Sequence, residues 1–378
     1  MRRFEFAQGS SNKFWEVTQS DNTLTVRFGR VGSKGQEKST TFPRPELAQK
    51  EHDKLIADKL RKGYKEVGAV NTGQSGPAAT SATKSAHDIL SGLRQCEPLK
   101  RVAKQLESLQ KLSLRITTAP AKETGAGISK LGGRPDLPVG ISWPTGKVAG
   151  CEIALPFVAQ FDVAWLWRSY LGRGSMGLLP TSGMLYFFYN MADYGADYLA
   201  PKNWRVIYHH SGDKDSLAAG EPPLPIPPHL DYKARAARFQ TELTLPNAET
   251  CYIGVTGDTT AKVELTEEEW NAYVDLRSEF RADKNIHQMF GHADDVQPYA
   301  LENSYESVRD VFFPDGRPFK SLTPKEQAEE FFQGRLLLQV DEEKSSKMQF
   351  GRGGRLYFFI REQDLKARDF SKVWVNEQ

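Results

Sequence analysis

The chain has 378 residues, 39% hydrophobic and 26% charged, with a formal net charge of +2. That is the composition of an ordinary soluble protein large enough for more than one core, and no run of about 18 apolar residues suits a membrane span. Cys96, Cys151 and Cys251 lack zinc or redox spacing, and Met1-Arg2-Arg3-Phe4-Glu5 lacks the apolar segment of a signal peptide, so a reducing cytoplasm is expected.

The charge is uneven. Residues 1–68 carry 14 Lys/Arg against 9 Asp/Glu, and the remainder is slightly acidic. A basic head suits polyanion contact, and it equally suits a solvated lysine-rich surface. Strands are expected over 2–6, 13–18 and 23–28, with Leu24, Val26 and Phe28 on one face of the last, and again near 36–42. The spacing of Ala48, His52, Leu55, Ile56 and Leu60 predicts a helix over 45–62, closed by Gly63. A short strand follows at 64–67.

These residues carry a resemblance. Val26-Arg27-Phe28-Gly29-Arg30-Val31-Gly32, then the helix and Lys62-Gly63-Tyr64, resemble a WGR domain, with Phe28 standing where the motif has tryptophan. WGR modules accompany poly(ADP-ribose) polymerases, where they contact DNA ends, and they occur in bacterial proteins. The resemblance implies a nucleic-acid surface at Phe28, Gly29 and Arg30. A strand-end aromatic beside a guanidinium suits a stacked base and a held phosphate, and Lys13, Arg27, Lys34 and Lys38 extend that surface. Phe28 also shares its face with Leu24 and Val26, which would make it core, with Arg30 paired to a helix carboxylate.

Residues 69–85 are small and polar, a flexible linker. Helical spacing resumes at 86–95 and again from Pro98 through Leu99, Val102, Ala103, Leu106 and Leu109, and 112–117 reads as a strand. Ser129 to Trp143 is rich in Gly and Pro and reads as a fixed irregular loop. Its Gly132-Gly133 pair could cradle an anion but lacks the P-loop pattern, and a turn packed beneath Trp143 fits better.

One pattern occurs twice. Phe157-Val158-Ala159-Gln160-Phe161-Asp162 precedes Gly183 and Leu185-Tyr186-Phe187-Phe188. Leu336-Leu337-Leu338-Gln339-Val340-Asp341 precedes Gly354 and Leu356-Tyr357-Phe358-Phe359. Both read as an apolar run ending in Gln-x-Asp, then Gly and Leu-Tyr-Phe-Phe. This predicts a duplicated β unit whose strands are buried on both faces in one core. Between the copies, 220–229 is proline-dense and extended, and Thr266-Glu267-Glu268-Glu269 opens a helix to about 282. Helices near 98–111 and 266–282 are expected to cover a mostly antiparallel sheet.

With the loop at 129–144, His287-Gln288-Met289-Phe290-Gly291-His292 and Asp364–Ser371, the two copies resemble the YwqG family over about 95–376. The family lends no catalytic activity. Its members recur beside bacterial toxin genes, which implies an immunity protein that binds and neutralises a toxin.

The search for chemistry gives little. His287 and His292 lack the spacing and glutamate of a zinc-binding helix, although Asp294 and Asp295 would permit a mixed site. Asp162 and Asp341 could pair as two carboxylates, but strand-end turns explain them more simply. The Phe350-Gly351-Arg352 echo of Phe28-Gly29-Arg30 is too short to weigh. The expected architecture is therefore α+β: a WGR-like antiparallel sheet plus helix at 1–68, a linker at 69–85, and a larger α+β domain with a duplicated β unit at 86–378. The expected function is a non-enzymatic cytoplasmic binding protein with no catalytic residues, no metal and no cofactor. Its partner would be a protein, in the immunity reading a cognate toxin. The alternative is nucleic-acid binding through residues 1–68, and no membrane is involved.

Overall fold

Alternation builds the head. β1 (Arg2–Gln8), β2 (Ser11–Ser20), β3 (Thr23–Arg30) and β4 (Gln36–Thr41) run as an antiparallel meander, and β5 (Lys65–Glu66) joins beside β1. Period-two spacing puts Phe4, Trp15, Val17 and Leu24 on one face, where they bury with Ile56. The computed structural model describes residues 2–8, 11–20, 22–31, 35–42, 52, 55, 56, 59, 64–66, 86–121, 126–148, 151–171, 178–191, 201–210, 216–256, 259–280, 286–297, 299–312, 317–351 and 353–378. Positions 52, 55, 56 and 59 are helical; the rest of the expected 45–62 helix, Lys34, Gly63, the 69–85 linker and Arg352 lie outside the described residues. The chain divides into two compact units, Met1–Ala82 and Thr83–Gln378.

The second unit is α+β and holds a ten-stranded antiparallel sheet. Its strands in chain order are β6 (Lys111–Pro120), β7 (Lys130–Leu131), β8 (Phe157–Asp162), β9 (Met184–Tyr189), β10 (Trp204–His209), β11 (Arg235–Thr244), β12 (His287–Phe290), β13 (Gly334–Asp341), β14 (Arg355–Arg361) and β15 (Trp374–Glu377). Their order in the sheet is β10-β9-β8-β7-β11-β6-β12-β13-β14-β15. Each half supplies five strands in the same sequence, and the two first strands are exchanged. β6 pairs with β12 of the second half, and β11 pairs with β7 of the first. The exchanged strands meet over Lys111↔Thr244 to Pro120↔Arg235.

Both copies carry the same irregularity. The β8–β9 register shifts between Phe157 and Ala159, and the β13–β14 register shifts between Leu336 and Leu338. Such bulges sharpen local twist. The two arms of the sheet approach each other: the Phe187 and Phe358 rings lie 5.1 Å apart, and Trp204 Nε1 donates to the Val373 carbonyl at 2.8 Å. Burial on both strand faces follows, as the Leu-Tyr-Phe-Phe runs predict. Phe187 and Phe358 belong to the shared core, while Tyr186 and Phe188 pack under Trp143 in a separate cluster.

The expected cover differs. Glu267–Phe280 and Ala103–Ser108 join Ala86–Gln95 in a cluster of their own around Leu93, Leu99, Leu106 and Tyr273, which meets the sheet at Leu243 near the end of β11. Their apolar stripes find one another first. The helix Ala300–Phe312 covers the sheet instead, with the Tyr305 ring 5.2 Å from Trp374. Pro98 opens a 3-10 turn at Glu97–Leu99, so the chain winds tightly before the helix starts at Ala103, although the spacing buries Leu99, Val102 and Leu106 as expected. The loop at 129–143 is also less irregular than its composition predicts, because Lys130–Leu131 and Asp136–Pro138 form short strands.

Candidate functional site

In the head, Trp15 pairs with Phe28 and Val26 with Lys38, so Phe28, Lys38 and Lys13 stand on the Trp15 face. Trp15 is buried against Phe4, with ring centroids 5.5 Å apart. Phe28 sits at the rim of this core and is 42% exposed; Lys13 and Lys38 are exposed. Gly29 and Arg30 complete the strand, and Arg30 pairs with Lys13 across the ladder.

Arg27 belongs to the opposite face. Its Nε donates to Glu16 at 2.6 Å, and Arg3 Nη1 donates to the same carboxylate at 2.7 Å. The Arg27 and Arg3 hydrogen bonds hold the Glu16 carboxyl below its ordinary range, against the effect of burial. Both guanidiniums flank the Phe14 ring, 4.6 Å away for Arg3 and 5.6 Å for Arg27. The fold thus gathers Lys13, Phe28 and Lys38 and separates Arg27 from them.

In the body, the repeated motif is a pair of hydrogen-bond clamps. Gln160 Oε1 accepts from the Asp136 amide at 2.7 Å, its Nε2 donates to the Ile128 carbonyl at 2.8 Å, and the Tyr186 hydroxyl donates to the Asp136 carbonyl at 2.7 Å. The second copy repeats this. Gln339 Oε1 accepts from the Asp294 amide at 2.9 Å, its Nε2 donates to Ile286 at 2.8 Å, and Tyr357 donates to the Asp294 carbonyl at 3.0 Å. The Gln and Tyr of each motif therefore pin one loop. The loop at His287–Asp294 is the second copy of the loop at Ser129–Asp136, a correspondence also present in the sequence at one constant spacing. Gly132 and Gly133 have φ of 64° and 78°; Phe290 and Gly291 have 60° and 75°.

The clamps account for the remaining candidates. Gly132 and Gly133 donate their amides to Val158 and Tyr232 carbonyls at 2.8 Å each, so the double glycine is occupied by backbone. Arg134 pairs with Asp231 at 2.5 Å. Asp162 caps the turn after β8 by accepting from Trp165 N at 2.8 Å. Asp341 accepts from Ile286 N at 2.9 Å and lies 3.2 Å from Arg355 Nε. His287 Nδ1 accepts from the Asp341 amide at 3.1 Å, which leaves Nε2 facing the buried Glu343 at 3.4 Å. Burial raises the Glu343 carboxyl, but His287, Ser345 and Thr118 outweigh it and hold its pKa at about 2. His292 holds the Leu109 carbonyl at 2.7 Å. Among the described residues no cluster of three or more His, Cys, Asp or Glu suits a metal ion.

Beside the second clamp lies a cavity of about 480 Å³ at the seam between two apolar clusters. Leu301, Phe331, Leu336 and Phe359 form its apolar wall, and Lys111, Asp295, Glu302 and Arg335 face it. Sequence reasoning reached Asp295 only as a metal candidate and missed the other three, which lie on separate elements. Burial, reinforced by the Glu302 charge, raises the Asp295 pKa to about 7, and burial raises Glu302 as well. Arg335 pairs with Glu362 at 2.5 Å.

A family model described as a domain of unknown function, DUF1963, matches residues 129–378, which hold the Gln and Tyr of both clamps and all of the cavity lining except residues 108–111. The chain belongs to the DUF1963 family. A WGR domain model matches residues 1–71. This DUF1963 protein is 42% identical over 65 residues to the uncharacterized protein YfeS of Escherichia coli, covering 17% of this chain and 27% of YfeS. It is 38% identical over 86 residues to E. coli YehF, covering 23% of this chain and 31% of YehF. The chain thus spans about a third or less of each curated relative. A crystal structure of a Bacteroides fragilis protein is 36% identical over 18% of this chain and 19% of its own, with a TM-score of 0.17. No helix among the described residues is long and apolar enough to cross a membrane.

Proposed function

We propose that this DUF1963 protein is a non-enzymatic binding protein whose WGR head contacts nucleic acid through Phe28. The observation that carries the reading is the 42% exposure of Phe28 on a face it shares with Lys13 and Lys38. An exposed ring offers a stacking platform to any base, and flanking lysines track phosphates. Phenylalanine keeps that platform without the indole donor of the usual tryptophan. The non-enzymatic part is supported by the engagement of Asp162, Asp341 and His287 in holding loops and strand ends. The toxin-neutralising role implied by the YwqG resemblance draws no support from the relatives, so the body is proposed only to bind a partner.

Fluorescence anisotropy of labelled single-stranded and nicked duplex DNA with the full chain at low salt tests this reading. Phe28→Ala is expected to weaken binding about tenfold or more, given roughly 1–3 kcal/mol per stacked base. Arg27→Ala, on the opposite face, should leave it nearly unchanged. Absence of binding at low salt, or equal binding by Phe28→Ala, defeats the proposal.

A further inference from the structure

The cavity beside the second clamp has unused charge of both signs. Among the described residues, neither the Lys111 ammonium nor the Glu302 carboxyl pairs with another side chain; Glu302 takes a hydrogen bond from its own main chain, and each group feels the other's field. Lys111 is an exposed residue that lines the cavity, and desolvation there, with the nearby Arg335 charge, pulls its pKa down to about 8. Glu302 lies in the first turn of the helix Ala300–Phe312, and Asp295 lines the same cavity. Opposite charges that face one cavity without side-chain partners are both matched by a ligand that reaches them. The volume falls within the range of small-molecule sites, and Leu301, Phe331, Leu336 and Phe359 supply an apolar wall.

We propose that this cavity binds a small zwitterion with an apolar body, of the size and chemistry of a free aromatic or branched amino acid. Its carboxylate pairs with Lys111, its ammonium with Glu302 beside Asp295, and its side chain lies on the Phe331 and Phe359 wall. An amine alone would leave Lys111 unmatched and meet its repulsion. An acid alone would face two carboxyls.

The test compares L-phenylalanine, phenethylamine and 3-phenylpropanoate, one body with both charges, the positive charge only or the negative charge only. Calorimetry with the full chain at neutral pH is expected to show L-phenylalanine binding at least about tenfold more tightly than either analogue. Lys111→Met should erase its advantage over phenethylamine, and Glu302→Gln its advantage over 3-phenylpropanoate. The wild-type comparison stands without the variants. No binding of L-phenylalanine at millimolar concentration, equal binding of all three, or an advantage that survives both substitutions overturns the proposal. These outcomes are independent of DNA binding by the head.

Discussion

Gln160 and Gln339 are wholly buried, yet each satisfies a main-chain amide and a main-chain carbonyl of a loop remote in sequence. Replacing Gln339 with Leu strands both loop groups, and each unsatisfied buried group costs about 1–3 kcal/mol. Gln339→Leu should therefore lower the denaturant midpoint beyond Tyr357→Phe, which removes two hydroxyl bonds at about 1 kcal/mol each, to the Asp294 carbonyl and from the Val296 amide, but leaves the Asp294 carbonyl bonded to Arg355. Parallel unfolding curves with an unchanged slope would check this. The identity of these residues was plain in the repeat, but their use was not, because a hydrogen bond to a distant loop leaves no local spacing to read. Phe28 shows the converse. Alternation put it on the core face, and it is there, but the core ends before reaching it.

A glycine whose role is a close approach precedes the second strand of each repeat. A Cβ on Gly183, at φ 97°, would run into the His209 carbonyl, and one on Gly354 would meet the Gln378 and Phe350 carbonyls. Gly354→Ala should thus destabilise the body more than an exposed alanine substitution, measured by thermal melting, because the neighbouring backbone has no room to give. The strands, their burial and the capped helix from Thr266 were legible because their signals are local: period, turn residues and a reciprocal Thr266–Glu269 bond at the helix start. The exchange of β6 and β11 between halves was not. Strand partners are chosen by tertiary packing, and two central strands of mixed polarity carry no mark of which half they join.

At the scale of the whole molecule, the body's central charges couple stability to pH. The Glu343 carboxyl is held near 2, below its unfolded value of about 4.5. A depressed acid contributes stability above its unfolded pKa and loses it as pH falls through the folded one. Its contribution should therefore be complete at neutral pH and fade between about pH 5 and 2. Glu343→Gln should flatten the acid limb of a stability-versus-pH curve; an unaltered limb would place the acid sensitivity elsewhere. The head is a separate unit with its own small core, and the function proposed for it rests on one surface. The most direct test of that assignment is the salt dependence of DNA affinity for the full chain. A slope falling by about one for each phosphate-bound lysine is expected in Lys13→Ala and Lys38→Ala, whereas Phe28→Ala should weaken binding at every salt concentration with the slope kept. Slopes that ignore both lysines, with affinity unmoved by Phe28→Ala, would contradict the account.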